Sequence, residues 1–120
     1  MNAKLDLFVQ NLLTGTRAGA LKWEKTPEAG VYRLMLDKGL VRIYRLGPMT
    51  VGENFVGCTV LDGTGNVIND EQVSQMVGGH LIQLYDFVDG TFQEGALDDL
   101  LAEVKRRTEG GGLRAPAGQR

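Results

Sequence analysis

The sequence has only one cysteine, Cys58, and only one histidine, His80. A single thiol forms no disulfide within the chain, so we expect packing alone to stabilise the fold, as in reduced cytoplasmic proteins. One histidine and one cysteine are too few nitrogen and sulfur ligands for a zinc site, which uses four ligands. No local motif supports a nucleophile pair made of these two residues. We therefore expect no catalytic residues, no metal and no cofactor.

Long apolar runs are also missing from the sequence. No segment approaches the ~20 apolar residues that cross a membrane, and Met1–Asp6 has no basic region followed by an apolar stretch. We expect neither secretion nor membrane insertion, and a cytoplasmic location. A hydrophobic content of 42% suits one core in a chain of 120 residues. The sequence predicts a single domain over residues 1–109 and a disordered glycine-rich tail over residues 110–120.

Charge is unevenly distributed along the chain. Residues 1–50 carry eight Lys and Arg against four Asp and Glu, whereas residues 51–108 carry three against ten. The two halves can complement each other within one domain, or they can present basic and acidic surfaces to a partner. Because the whole chain is acidic, with a net charge of -2, we do not expect it to bind nucleic acid.

The first segment has the spacing of an amphipathic helix. Its apolar residues recur at i, i+3, i+4, i+7 and i+8, and they are Leu5, Phe8, Val9, Leu12 and Leu13. This stripe predicts a helix from Ala3 to Thr16, which the following glycines weaken and end.

Alternating apolar residues next predict a mostly antiparallel sheet of about five strands. These are Leu21–Lys25, Val31–Leu36, Leu40–Leu46, Phe55–Leu61 and Asn66–Ile68. A two-residue Lys38–Gly39 turn, with Gly39 at positive φ, pairs Leu36 with Val41 and Leu34 with Ile43 toward the core. Four residues then lie on the opposite face of the sheet: Arg33, Met35, Arg42 and Tyr44. We expect a loop over residues 47–54 and a turn at residues 62–66.

After Ile68 the apolar period changes from two to nearly four. This change predicts a helix from an Asn69 N-cap to Val88, with a break at Gly78–Gly79, or a shorter helix over His80–Val88. A final helix is predicted from its apolar residues Leu97, Leu100, Leu101 and Val104. The predicted fold class is α+β, with an N-terminal helix, a meander sheet and two C-terminal helices.

Two segments of the sequence resemble a widespread group of small bacterial α+β proteins with no known activity. They are residues 16–24, TRAGALKWE, and residues 84–88, LYDFV, before the LDDLL of residues 97–101. The resemblance implies a helix, a Trp-bearing strand, a β-meander and closing helices. Some similar domains look like accessory modules of multiprotein or conflict-type systems. No catalytic residue is implied by it.

These observations leave two leading functional hypotheses, and an enzyme that uses Cys58 or His80 ranks third. The first is a non-catalytic interaction or regulatory module that binds a protein partner or itself, using Arg33, Met35, Arg42 and Tyr44 with the C-terminal helices. Its basis is the surplus of apolar residues outside the predicted core. The second is a small-ligand or nucleotide-binding protein with a pocket between sheet and helices, formed by Trp23, Tyr32 and Arg45.

Overall fold

The structure, a computed structural model, describes residues 2–50 and 53–111, except for the side chains of residues 48–50, 53, 110 and 111. Helix α1 spans Ala3–Arg17, and five strands follow: β1 Glu24–Lys25, β2 Val31–Leu36, β3 Gly39–Thr50, β4 Glu53–Asp62 and β5 Val67–Ser74. Helix α2 spans His80–Arg106, and a π-helical turn spans Arg107–Gly111. The strands form one antiparallel sheet in the order β1-β2-β3-β4-β5. The predicted α+β class with an N-terminal helix is confirmed.

The chain divides into two compact units, residues 1–89 and residues 90–120. The first unit contains α1, the whole sheet and the first ten residues of α2. The second contains the rest of α2 and the π-helical turn. Most of the predicted tail, residues 112–120, lies outside the described residues.

Helix α1 follows its sequence signals closely. The Asn2 side chain caps it by accepting a hydrogen bond from the Leu5 amide at 2.8 Å, which satisfies one of the free N–H groups of the first turn. Its apolar stripe is buried at Leu5, Val9, Leu12 and Leu13. The predicted helix is therefore confirmed, and it extends one residue further, to Arg17.

One face of the sheet forms the core of the first unit. The buried side chains on this face are Tyr32, Leu34, Val41, Ile43, Val56 and Cys58. The buried residues of α1 complete the core together with those of α2, which are Leu81, Ile82, Leu84, Tyr85 and Val88. We call this side of the sheet the inner face and the opposite side the outer face.

The register of the β2–β3 hairpin differs from the prediction by two residues. Leu34 pairs with Val41, and Leu36 pairs with Gly39, so the turn consists of Asp37–Lys38. A shift of two leaves every side chain on its predicted face, because strand side chains alternate with period two. Gly39 is not at positive φ, contrary to our expectation. It is needed for space instead, since a Cβ at this position would lie 2.2 Å from the carbonyl oxygen of Leu61 on β4.

Two further expectations about the sheet are wrong. Strand β3 continues to Thr50 through an irregularity after Leu46, so most of the predicted 47–54 loop is strand, with residues 51 and 52 outside the described residues. Strand β5 runs to Ser74, where a helix was predicted from Asn69. The spacing of Val73 and Val77 misled the prediction, because a separation of four also fits the period of a strand.

The C-terminal region contains one α-helix where we predicted two. Gly78 and Gly79 have positive φ and lie just before the helix, so the alternative start at His80 is the correct one. Gly90 and Gly95 lie within α2, and each lowers the stability of the helix by about 1 kcal/mol relative to alanine. No proline occurs between His80 and Arg106 to stop it, and α2 therefore includes both predicted segments.

Candidate interaction surfaces

The four residues of the predicted interaction surface do share the outer face of the sheet. Arg33 and Arg42 pair across β2 and β3, and the Arg33 Nε donates to Glu24 Oε1 on β1 at 2.9 Å. This contact reduces the repulsion between the two guanidinium groups. Met35 is 59% exposed, and Arg42 is also exposed.

Tyr44 extends across the outer face rather than away from it. Its hydroxyl donates to Asp70 Oδ1 on β5 at 3.0 Å, and Thr59 Oγ1 donates to the same oxygen at 2.9 Å. The ring lies over Gly57 on the intervening strand, where an added Cβ would come within 2.2 Å of it. Tyr44 thus covers the backbone of β4 and links three strands.

The structure brings together two of the three residues predicted to form a ligand pocket. Tyr32 donates a hydrogen bond from its hydroxyl to Asp89 Oδ1 at 2.5 Å, and an Arg45 guanidinium nitrogen lies 3.9 Å from Asp89 Oδ2. The same nitrogen lies 3.9 Å from Asp86 Oδ1. Trp23 makes its hydrogen bond elsewhere, from Nε1 to Thr16 Oγ1 at 2.9 Å.

Tyr85 completes this polar cluster on the inner face. Its hydroxyl donates to the carbonyl oxygen of Gly30 at 2.6 Å, and the Arg45 guanidinium carbon lies 5.0 Å from its ring centroid. Desolvation raises the pKa of Tyr32, and the hydrogen bond to Asp89 raises it further, so the hydroxyl remains a donor at neutral pH. These groups satisfy one another and fasten α2 to strands β2 and β3. Sequence reasoning missed Asp86 and Asp89, although both lie on the helix next to Tyr85.

A small apolar recess lies between the start of α1 and the end of the sheet bearing β4 and β5. Its volume is about 260 Å³, and its walls are formed mainly by Leu5, Phe8, Val60 and Ile68. Asn2, Lys4 and Asn69 lie at its polar rim. The recess is just below the usual size of a ligand site, about 300–1,000 Å³. None of the residues predicted to form a ligand pocket lines it.

Cys58 is a core residue on β4, with 1% of its surface exposed. Burial raises the pKa of its thiol to about 12, with a smaller contribution from the charge of Asp70. The thiolate fraction is the reactive one, and each pKa unit lowers it tenfold at a given pH. The environment of Cys58 is therefore unfavourable for a nucleophile.

We expect the Cys58 thiol to react with a disulfide reagent at pH 8 at least about a thousandfold more slowly in the folded protein than in the unfolded one. The pKa of about 12 and the burial both act in this direction. Absorbance of the released thiolate measures the rate with and without denaturant. Rapid modification of the folded protein without loss of circular dichroism would contradict this interpretation.

His80 contacts α1 rather than Cys58 in the described structure. Its Nδ1 lies 3.1 Å from Asp6 Oδ1, and Gln10 Nε2 donates to Asp6 Oδ2 at 2.9 Å. The hydrogen bond from Gln10 lowers the pKa of Asp6, and the contact with His80 lowers it further. The three side chains therefore join the first turns of the two helices at the protein surface.

The Asp6 contacts predict a specific pH dependence of stability. Because the pKa of Asp6 is lower in the folded protein, its stabilising contribution is complete above the unfolded pKa of about 4 and is lost as the pH falls through the folded value. Asp6→Asn removes this ionisation. We expect the difference in free energy of unfolding between wild type and variant to be constant near pH 5 and to shrink below pH 4. Urea titrations across this range measure it, and a difference that grows on acidification would contradict the assignment.

The second unit presents an exposed apolar surface on the final helical segment that the sequence predicted. We call it the C-terminal stripe. Its four side chains are between 59% and 65% exposed, and they are Leu97, Leu100, Leu101 and Val104. On a helix they fall within an arc of about 100° and extend over two turns. Contiguous exposed apolar side chains of this kind are typical of a surface that binds another protein.

Other kinds of site are not apparent in the part of the chain that the structure describes. Within residues 2–50 and 53–111, no three His, Cys, Asp or Glu side chains are grouped closely enough to hold a metal ion. No helix in those same ranges has the length and apolar character needed to cross a membrane. Comparison with protein-family models, curated proteins and solved structures finds no match to this chain.

Proposed function

We propose that this protein is a non-catalytic interaction module of a bacterial multiprotein system, acting in the cytoplasm through the C-terminal stripe. The single observation that supports this proposal most strongly is the exposure of four large aliphatic side chains on one helix face. On an isolated protein this surface would contact water, at a free-energy cost of about 25 cal/mol for each Å² of apolar area. Covering it with another protein surface removes that cost.

The polar cluster on the inner face supports the same function indirectly. The groups of Tyr32, Tyr85, Arg45 and Asp89 already bind one another, so their role is to hold helix α2 in place. The outer face of the sheet offers a second, more polar contact surface at Met35 and Arg42. On the same face, the Tyr44 hydroxyl is engaged in a hydrogen bond to Asp70 between strands.

Photo-cross-linking in native host cells tests this proposal. We place p-benzoylphenylalanine at position 97 or 101 on the stripe, and at position 99 as the matched control on the opposite side of the helix. The expected result is a cross-linked product of one defined mass, with the same ratio of chains in each experiment, from positions 97 and 101 only. Absence of a product, or equal products from all three positions, would contradict the proposed function.

A second candidate function, binding of a small apolar ligand, is favoured by the recess between α1 and the sheet. A ligand present at 100 times its dissociation constant stabilises the protein by about 2.7 kcal/mol, which a thermal-shift screen detects. Ile68→Asp is the matched variant, because Ile68 is 64% exposed and its replacement leaves the core intact. A flat response across nucleotides, metabolites and short apolar compounds would exclude this candidate.

A further inference from the structure

We infer that the C-terminal stripe binds a second copy of the same stripe in antiparallel orientation, an inference that rests on the proposed function. The reason lies in the charges beside the stripe. The helix carries Glu94 and Asp98 beside the N-terminal part of the stripe, and Lys105 just after its C-terminal end. The distribution is close to self-complementary when one copy is reversed, as a two-fold symmetric interface requires.

The rotation of these residues around the helix makes the pairing specific. At about 100° per residue, Glu94, Asp98 and Lys105 fall within about 40° of one another, on a single flank of the stripe. All three side chains are exposed, and within the described ranges none of them takes part in an ion pair. Arg107, on the other flank, is already paired with Glu103 at 2.9 Å. The first flank therefore has unpaired charges of both signs.

An antiparallel pair brings this flank of one helix against the same flank of the other. With the two-fold axis midway between Leu100 and Leu101, Leu97 of one copy lies opposite Val104 of the second. Lys105 then lies level with position 96 of the second copy, between Glu94 and Asp98 and about 3 Å along the axis from each. The same contacts recur at the other end of the pair.

A parallel pair in register lacks this complementarity. It brings opposite flanks of the two helices together, so Glu94 and Asp98 of one copy no longer face Lys105 of the other. Its helix dipoles are also aligned side by side, which is the less favourable arrangement. The distribution of charge thus selects the antiparallel orientation, while the aliphatic side chains supply the attraction.

The contact between the two C-terminal stripes is short, and its small area limits the expected affinity. Two helical turns bury much less than the ~1,600 Å² of a standard interface, so we expect dissociation in the range of about 10 to 500 μM. The apparent mass should rise from the 13.1 kDa of one chain toward twice that value as concentration increases. Sedimentation equilibrium measures this directly on the complete protein.

Reversing the charge of single side chains distinguishes the antiparallel pair from other modes of association. We expect Lys105→Glu, and separately the double variant Glu94→Lys with Asp98→Lys, to weaken self-association at least about tenfold. Arg106→Glu makes the same charge change on the side of the helix opposite the stripe, and it should leave association unchanged. An equimolar mixture of the Lys105→Glu protein and the double variant should associate again, because each then supplies the opposite charges at both ends. Circular dichroism verifies that each variant remains folded.

Three results would overturn this inference. They are a wild-type protein that stays monomeric at high concentration, equal effects of Lys105→Glu and Arg106→Glu, and a mixture of the two charge variants that does not associate. The cross-linking experiment tests the proposed function independently of the antiparallel pair. A monomeric protein whose positions 97 and 101 cross-link to a different chain retains the proposed function and loses the antiparallel pair.

Discussion

Replacing Tyr85 by alanine lowers the free energy of unfolding by about 3–5 kcal/mol, the range measured when large aromatic side chains are removed from cores. Tyr85 is 1% exposed, and its ring contacts both the Tyr32 ring, with centroids 5.8 Å apart, and the Arg45 guanidinium. Its loss leaves a cavity between α2 and the sheet and removes a hydrogen bond to the loop before β2. Chemical denaturation monitored by circular dichroism measures the change.

The matched control for this prediction is Tyr85→Phe. Phenylalanine keeps the ring, its packing against Tyr32 and its position beneath Arg45, and it removes only the hydroxyl that donates to the Gly30 carbonyl oxygen. We expect a loss of about 0.5–1.5 kcal/mol, the net contribution of one hydrogen bond. Equal losses in the two variants would show that the hydroxyl, and not the ring, attaches the helix to the sheet.

Gly39→Ala should lower the free energy of unfolding by about 2–3 kcal/mol, at the upper end of the usual range for overpacked positions. The added Cβ would lie 2.2 Å from the carbonyl oxygen of Leu61, which is backbone and cannot rotate away as a side chain can. Strands β3 and β4 must separate locally, at the point where Gly39 pairs with Asp62. Denaturant titration measures the loss, and weakened cross-strand amide contacts in NMR spectra should locate it.

Gly63→Ala is the matched control, because Gly63 lies in the neighbouring turn between β4 and β5. An added Cβ there meets its nearest heavy atom, the Lys38 carbonyl oxygen, at an ordinary 3.6 Å. Its φ is not positive, so alanine fits without strain and restricts the unfolded chain. We expect no loss of stability from this change. A similar loss in both variants would contradict the role assigned to the close approach at Gly39.

The sequence predicted the elements whose apolar period is unambiguous. Helix α1 and strand β2 follow their stripes closely, and the faces of the first hairpin were correct although its pairing register was shifted by two residues. The start of strand β5 was predicted, but its continuation to Ser74 was missed because the polar residues Asn69–Gln72 gave no clear alternation of apolar side chains. Alternation of apolar and polar residues arises when one side of a strand is buried, and every residue of β5 is exposed or half-buried.

The candidate surfaces could be predicted only in part, for a related reason. The C-terminal stripe was visible as a helical period, but a period alone does not say whether a face is buried or exposed. The pairing of Tyr32 with Asp89 joins residues 57 positions apart, a separation that no local pattern in the sequence encodes. Interpretation of Tyr32 and Arg45 as a ligand pocket therefore stays a prediction, although the structure gives both residues internal partners.

The position of β5 affects how this protein behaves at high concentration. Strand β5 ends the strand order, and an unpaired strand edge is a template for aggregation. In this strand a bulge at Ile68 interrupts the register, and the polar run Asn69–Gln72 makes the edge unattractive to another apolar strand. Growth of a continuous sheet from chain to chain is therefore disfavoured. In the antiparallel pair proposed above, the contact is made by a helix and closes at two copies, so it leaves this strand edge uninvolved.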